Sequence, residues 1–165
     1  MSLVGWLHTG AAVVALTAGA GVLVQRKGTR RHRRLGWLSV VGMVTLNVTA
    51  LLIYRLSGHF GPFHAGALLS LATVVAGVLQ AVRRQPPDGW VERHYYWMTF
   101  SYVGLLAAAA SEAATRLART TFWGAVALAS AAVLAVGTAL VTRRARATLA
   151  PFRRPRDAYA TPPVG

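Results

Sequence analysis

The sequence predicts an all-α integral membrane protein with five transmembrane helices, and two observations lead to this prediction. Hydrophobic residues make up 55% of the 165-residue chain and charged residues only 13%, whereas a typical soluble domain carries about 25% charge. The charges are also clustered, which leaves uncharged runs at 1–25, 35–54, 56–82, 95–111 and 120–142. A helix needs roughly 20 apolar residues to cross the hydrocarbon core. A spanning segment must be helical because its backbone groups find no water in lipid.

The uncharged runs and the aromatic residues at their ends place the helices in order. We expect helices at 3–24, 35–54, 62–82, 94–115 and 121–142. Together they form one transmembrane domain over residues 1–146. The Pro-rich, basic segment 147–165 is expected to be a disordered cytoplasmic tail. The fifth helix has no ionisable residue before Arg143, so we expect it to serve in packing or in a homo-oligomer.

The basic residues predict an orientation in the membrane and no nucleic-acid partner. The chain has 18 Lys and Arg against 4 Asp and Glu, a formal net charge of +14. If five helices alternate, all but three of the basic residues fall on one side, the exceptions being Arg55, Arg116 and Arg119. Cytoplasmic loops carry such an excess. We therefore expect a multi-pass protein of the cell (inner or plasma) membrane, with the lipid bilayer as partner, the amino terminus outside and the carboxyl terminus in the cytoplasm.

An internal repeat predicts that the first four helices form a bundle of two copied pairs. The segment "HTGAAVVALTAGAGVL" at 8–23 and the segment "HAGALLSLATVVAGVL" at 64–79 share eight of sixteen positions, including the leading histidine. A weaker match joins "HRRLGWLSVVG", which starts at His32, to "HYYWMTFSYVG", which starts at His94. Each two-helix unit returns to its starting side, so the copies are expected to be parallel repeats related by an axis along the membrane normal. The fifth helix is extra.

The repeat places histidines in equivalent pairs, which suggests a cofactor. His8 and His64 lie near the predicted outer ends of helices one and three, and His32 and His94 near the inner ends of helices two and four. Paired histidines on facing helices can hold a haem iron axially. Small residues such as Gly19 and Gly77 would leave room for a macrocycle, although they also serve close helix packing. The leading hypothesis is transmembrane electron transfer by b-type haem, with a small anionic or quinone electron partner.

Two other polar residues of the outer half, Asn47 and Glu112, keep further hypotheses open. Beside haem they would tune the outer site or deliver protons. Alternatively, His8, His64 and Glu112 could bind a divalent metal such as zinc in a membrane enzyme, because two histidines and a carboxylate are a known catalytic ligand set. A third hypothesis is a small transporter, with Glu112 as its proton-coupling residue, or a structural subunit without a cofactor. The sequence has no cysteine, which excludes disulfides and thiolate ligands.

Four segments carry a resemblance to a known family. The stretches "KGTRRHRRLGWL", "NVTALLIY", "GPFHAGALLSL" and "HYYWMTFSYVGLLAAAASE" resemble DUF2306, an uncharacterised bacterial family of predicted membrane proteins. The resemblance covers about residues 5–116 and implies a compact multi-helix membrane domain without implying an activity. In layout alone, the two histidine pairs are also similar to those of di-haem transmembrane cytochromes b, in which each pair comes from alternating helices.

Overall fold

The chain folds into long α-helices, as seen in a computed structural model that describes residues 2–54, 58–117 and 121–152. Within these residues there is no strand. The helices are α1 (Leu3–Val24), α2 (Arg30–Leu51), α3 (Pro62–Arg83), α4 (Trp90–Leu117) and α5 (Phe122–Leu149), and a 3₁₀ turn (Ala150–Phe152) continues the last one.

Successive helices run antiparallel and pack side by side. α2 lies between α1 and α3, and α4 lies between α3 and α5 and also touches α1. The Phe63 ring stacks on the Trp123 ring at 5.8 Å, which joins the starts of α3 and α5. The Tyr95 hydroxyl donates to the Val141 carbonyl (3.0 Å), which joins the start of α4 to the end of α5. We call the end at which α2 and α4 begin the basic end, because the arginine-rich connections lie there, and the other end the opposite end.

The core is made of one residue from each of the first four helices: Ala15, Met43, Val74 and Leu105. The α1–α2 contact is close because Gly42 has no side chain. A Cβ atom at that position would lie 2.9 Å from the backbone nitrogen of Ala15. Large apolar side chains are exposed around the outside, as at Trp6, Leu69 and Leu128. Such an extensive apolar surface is typical of a bundle surrounded by lipid.

The three largest differences from the predicted helix boundaries all lie at the basic end. α2 begins at Arg30 because the Thr29 hydroxyl caps it by accepting from the His32 backbone N–H. α4 begins at Trp90, before the predicted 94, and α5 continues through its arginines to Leu149, past the predicted 142. Arginine is a good helix former. The helices therefore continue into the charged residues that mark the ends of the uncharged runs. The predicted tail from 147 therefore begins inside α5, and residues 153–165 lie outside the described residues.

Of the five predicted membrane-spanning helices, four are supported by their length and composition, and α4 differs from them. Among the described residues, four helices are long and apolar enough to cross a membrane: α1, α2, α3 and α5 with its 3₁₀ extension. α4 is the fifth long helix, at 28 residues or about 42 Å, but its Tyr, Ser, Thr, His and Glu residues lower its hydropathy. Three of its buried residues are polar, namely Thr99, Ser101 and Ser111. Its neighbours α3 and α5 shield these groups.

The close α1–α2 contact predicts that Gly42→Ala destabilises the fold. The added methyl meets backbone atoms of α1 that cannot move aside, and overpacking of this kind costs about 1–3 kcal/mol. We expect a fall of several degrees in the thermal unfolding midpoint of the purified protein, measured by circular dichroism.

Gly36→Ala is the matched control on the same helix, because a Cβ atom there meets nothing within 4 Å. It should leave the midpoint unchanged or raise it, since alanine is the better helix former. Equal effects of the two substitutions would contradict the packing argument.

Candidate functional site: histidines at the two ends of the bundle

His8 lies near the opposite end and is held by α2. Its Nδ1 atom is 3.0 Å from the Thr49 hydroxyl oxygen. The single hydroxyl proton of Thr49 is already directed at backbone carbonyls of its own helix, those of Thr45 (2.8 Å) and Leu46 (2.9 Å). The oxygen therefore accepts from His8, so Nδ1 of the neutral ring carries the proton and Nε2 is a lone pair. In this tautomer, Nε2 is the atom of His8 that could accept a proton or bind a metal.

Glu112 lies at the same end as His8 and interacts with it electrostatically. It also forms an ion pair with Arg116 one turn along α4. Both side chains of this pair are largely exposed, 66% for Glu112 and 74% for Arg116. Glu112 is therefore a surface carboxylate beside His8, well placed to exchange protons with the surroundings of the protein.

His64 has a local structural role that differs from that of His8. It is the third residue of α3, and its Nδ1 accepts the backbone N–H of Gly61 (3.1 Å). This is one half of a capping box, because the N-cap residue Gly61 has no side chain to form the other half. The proton of the neutral ring must then be on Nε2, which is buried and has no hydrogen-bond partner. The rings of Tyr54 and Phe60 lie against the imidazole, with centroids at 4.5 and 5.2 Å. His64 thus presents no free lone pair to a metal.

At the basic end, His94 and His32 lie close enough to interact electrostatically. His94 Nδ1 donates to the Gly77 carbonyl (2.8 Å). A carbonyl can only accept, so Nε2 of neutral His94 is a lone pair. The His32 ring interacts with the Val22 carbonyl at the end of α1, and its Nδ1 atom is buried without a partner. The structure therefore brings together the two histidines that the repeat places at the inner side.

Lys27, in the short connection between α1 and α2, adds a third nitrogen to this group. Its ammonium group donates to the carbonyls of Val22 (2.8 Å) and Leu23 (3.1 Å) at the end of α1. Burial lowers the pKa of Lys27 from its ordinary value. Lys27 also interacts electrostatically with His32.

A polar stripe on α3, which the sequence analysis missed, runs from the middle of the bundle to the basic end. The stripe consists of Ser70, Thr73, the Gly77 carbonyl and Gln80. Its members contact neighbouring helices: Asn47 Nδ2 donates to Ser70 Oγ (3.1 Å), and Ser101 Oγ lies 2.9 Å from Thr73 Oγ1. The Gln80 Oε1 atom is buried without a partner. The spacing of three, four and three residues keeps one helix face and was the available signal.

The arrangement does not fit two axially held haems. Axial ligation of iron needs a free lone pair on each histidine. The lone pair of His64, on Nδ1, already accepts the backbone N–H of Gly61. The surface that small residues were expected to leave open is also filled, because Tyr102 covers Gly19 and Met98 covers Gly77. Divalent metal binding by His8, His64 and Glu112 gains no support either. Among the described residues, no group of three His, Cys, Asp or Glu side chains is placed to hold a metal ion.

Comparison with known proteins gives one match. A family of proteins described as "Predicted membrane protein (DUF2306)" matches residues 5–150. The match extends the resemblance found in the sequence, which ended near residue 116, through the whole of α5. No curated protein and no solved structure matches the chain.

The capping role of His64 predicts that His64→Gln and His64→Ala differ in stability. Glutamine at this position of a capping box can accept the Gly61 N–H, whereas alanine cannot. We expect His64→Ala to lose about 1 kcal/mol and His64→Gln to lose clearly less. The measurement is the thermal unfolding midpoint. If His64 acted instead as a metal or haem ligand, both variants would lose the bound group alike.

Proposed function

The chain belongs to the DUF2306 family of predicted membrane proteins, and we propose that it conducts protons between the two faces of the membrane along the polar stripe of α3. The observation that carries this proposal is the placement of the polar stripe between ionisable groups at the two ends, with His8 and Glu112 at one end and His32 and His94 at the other. Polar and ionisable groups are costly inside a membrane and usually mark a pathway or a proton relay.

At the opposite end, Glu112 and His8 are the groups that exchange protons. Glu112 is exposed, and a carboxylate at the surface collects protons by its charge. His8 has its Nε2 lone pair available, because Thr49 binds the N–H on Nδ1. An imidazole is suited to this step because its ordinary pKa is close to neutral. Glu112 therefore keeps the proton-coupling role that the transporter hypothesis gave it.

In the middle of the bundle, the path consists of side chains that both donate and accept. Asn47 contacts Ser70, and Ser101 contacts Thr73. Hydroxyl groups can pass a proton because each has one donor and two lone pairs. Ser70 to Gln80 covers about 15 Å at 1.5 Å per residue, roughly half of the hydrocarbon core. Hydroxyl pairs of this kind also hold helices together in membrane proteins. The functional proposal therefore depends mainly on the ionisable groups at the two ends of the path.

At the basic end, two buried acceptors have no hydrogen-bond partner among the residues that the structure describes. They are the Gln80 Oε1 and His32 Nδ1 atoms. Buried polar atoms in proteins are nearly always satisfied, by protein groups or by ordered water. Water at this end would satisfy both atoms and connect them with His94, whose Nε2 is free to accept. His32 also interacts electrostatically with His94 and with Lys27 at this end.

The inferred orientation and the repeat also belong to this proposal. We place the basic end in the cytoplasm, by the excess of Lys and Arg there. Ser39 and Ser101, which align in the repeat, each contact the preceding helix, although their partners do not align: Ser39 Oγ donates to the Ala15 carbonyl at 3.5 Å, and Ser101 Oγ donates to Thr73 Oγ1. These contacts support a doubled helix pair. A homo-oligomer through α5 stays a prediction.

A b-type haem at His32 and His94 is the second candidate, and a specific observation favours it. Histidines that bind a metal usually donate their other N–H to a carbonyl or carboxylate, and His94 does so to Gly77. Haem would supply one-electron chemistry, with a small anionic molecule or a quinone as electron partner. In that case His32 and His94 would hold the iron, and the arginines nearby would attract an anionic donor.

The first experiment measures proton flux into vesicles that contain the purified protein. A potassium gradient with valinomycin drives protons inward, and an enclosed dye reports the internal pH. We expect faster acidification than in protein-free vesicles, and about tenfold slower flux for Thr73→Val, equivalent to about 1.4 kcal/mol on the barrier. Thr142→Val is the matched control, since Thr142 is exposed and bonds only to carbonyls of α5. A wild-type rate equal to that of empty vesicles would refute the proposal.

An absorption spectrum tests the haem candidate separately. If haem b is bound, protein purified from haem-replete cells shows a Soret band that shifts on reduction. The band should disappear in His94→Ala and remain in His64→Gln, because the capping histidine has no free lone pair. A colourless wild-type protein excludes this candidate and leaves proton conduction untouched.

A further inference from the structure

The start of α2 carries a basic groove on the surface of the bundle. The groove has a volume of about 350 Å³ and is lined by Arg30, Arg33, Arg34 and Trp37. These residues are spaced three, one and three apart, so they share one face of the helix. The buried residues of α2, such as Ser39 and Met43, begin only beyond this stretch. The three arginines therefore line one surface of the protein together.

The groove has a strong excess of positive charge. α2 contains no acidic residue, and the whole chain has only four, against 18 Lys and Arg. Three guanidinium groups on one helix face repel one another, and a bound anion removes that repulsion. Arginine suits phosphate in particular, because its planar fork can donate two parallel hydrogen bonds to the phosphate oxygens.

An apolar surface continues directly from the groove. Trp37, Leu38 and Val41 are 55%, 50% and 59% exposed. Tryptophan commonly lies at the level of the lipid headgroups. A ligand that is anionic at one end and apolar at the other would contact the arginines and this surface together, which a free phosphate could not do.

We propose that this groove binds the phosphate of an anionic phospholipid, with one acyl chain along Trp37, Leu38 and Val41. Basic pockets at the cytoplasmic side of membrane helices are suited to such headgroups. The site is independent of proton conduction, because it lies on the outside of α2 and none of its residues belongs to the polar stripe. It would fix the depth of α2 in the bilayer.

Native mass spectrometry of the full chain tests the site. The protein is purified from vesicles of phosphatidylcholine with phosphatidylglycerol, and retained lipids are counted. We expect phosphatidylglycerol to be retained in preference to phosphatidylcholine. The ratio of retained phosphatidylglycerol to phosphatidylcholine should fall about tenfold or more in the triple variant Arg30→Gln, Arg33→Gln, Arg34→Gln. It should fall by a smaller factor in the single variant Arg33→Gln. The single variant keeps the test valid if the triple variant does not fold.

The matched control removes equal charge elsewhere at the basic end: Arg143→Gln, Arg144→Gln, Arg146→Gln. It should keep the preference within about twofold, because these arginines belong to α5 and do not line the groove. An equal loss in the control would show that only the general positive charge matters, and would overturn the proposal. Displacement of the lipid by millimolar inorganic phosphate would overturn it too, since the apolar surface would then add nothing.

Discussion

The fold depends on one constraint: inside an apolar bundle, polar groups must find partners within the protein. Lipid offers no hydrogen bonds, and an unpaired buried group costs several kcal/mol. The side chains of Ser39, Thr49, Ser101 and Ser111 meet this requirement by bonding to backbone carbonyls or to hydroxyls of neighbouring turns and helices. The bonds between helices also fix the orientation of each helix about its own axis. That orientation determines which residues face one another.

Against this background the unpaired atoms are informative. In the part of the chain that the structure describes, the buried side-chain atoms without a partner are His32 Nδ1, His64 Nε2 and Gln80 Oε1. His64 lies among aromatic rings, where its N–H is tolerated at the edge of the bundle. His32 and Gln80 lie at the basic end, where His32 also interacts electrostatically with His94. Function is best sought there.

Sequence equivalence did not ensure equivalent chemistry. His8 and His64 align within the repeated segment, yet His8 is the sixth residue of α1 and His64 the third residue of α3. A residue in the first turn is close to the free N–H groups of the helix start, so it becomes a cap. A residue one turn further meets the neighbouring helix instead. The opposite tautomers of the two rings follow from that displacement.

The sequence by itself determined the helical membrane class, the family, and the place of each apolar helix, because solvation in lipid depends on composition and length alone. It also gave the candidate site residues, because polar and ionisable side chains are rare in such segments: His8, His32, His64, His94, Asn47 and Glu112. Only the tertiary structure decided the tautomers, the filling of the small-residue surfaces by Tyr102 and Met98, and the polar stripe that joins Asn47 and Ser101 to α3. These features depend on helix rotation and on interhelical distances of a few ångströms, which apolar periodicity does not specify.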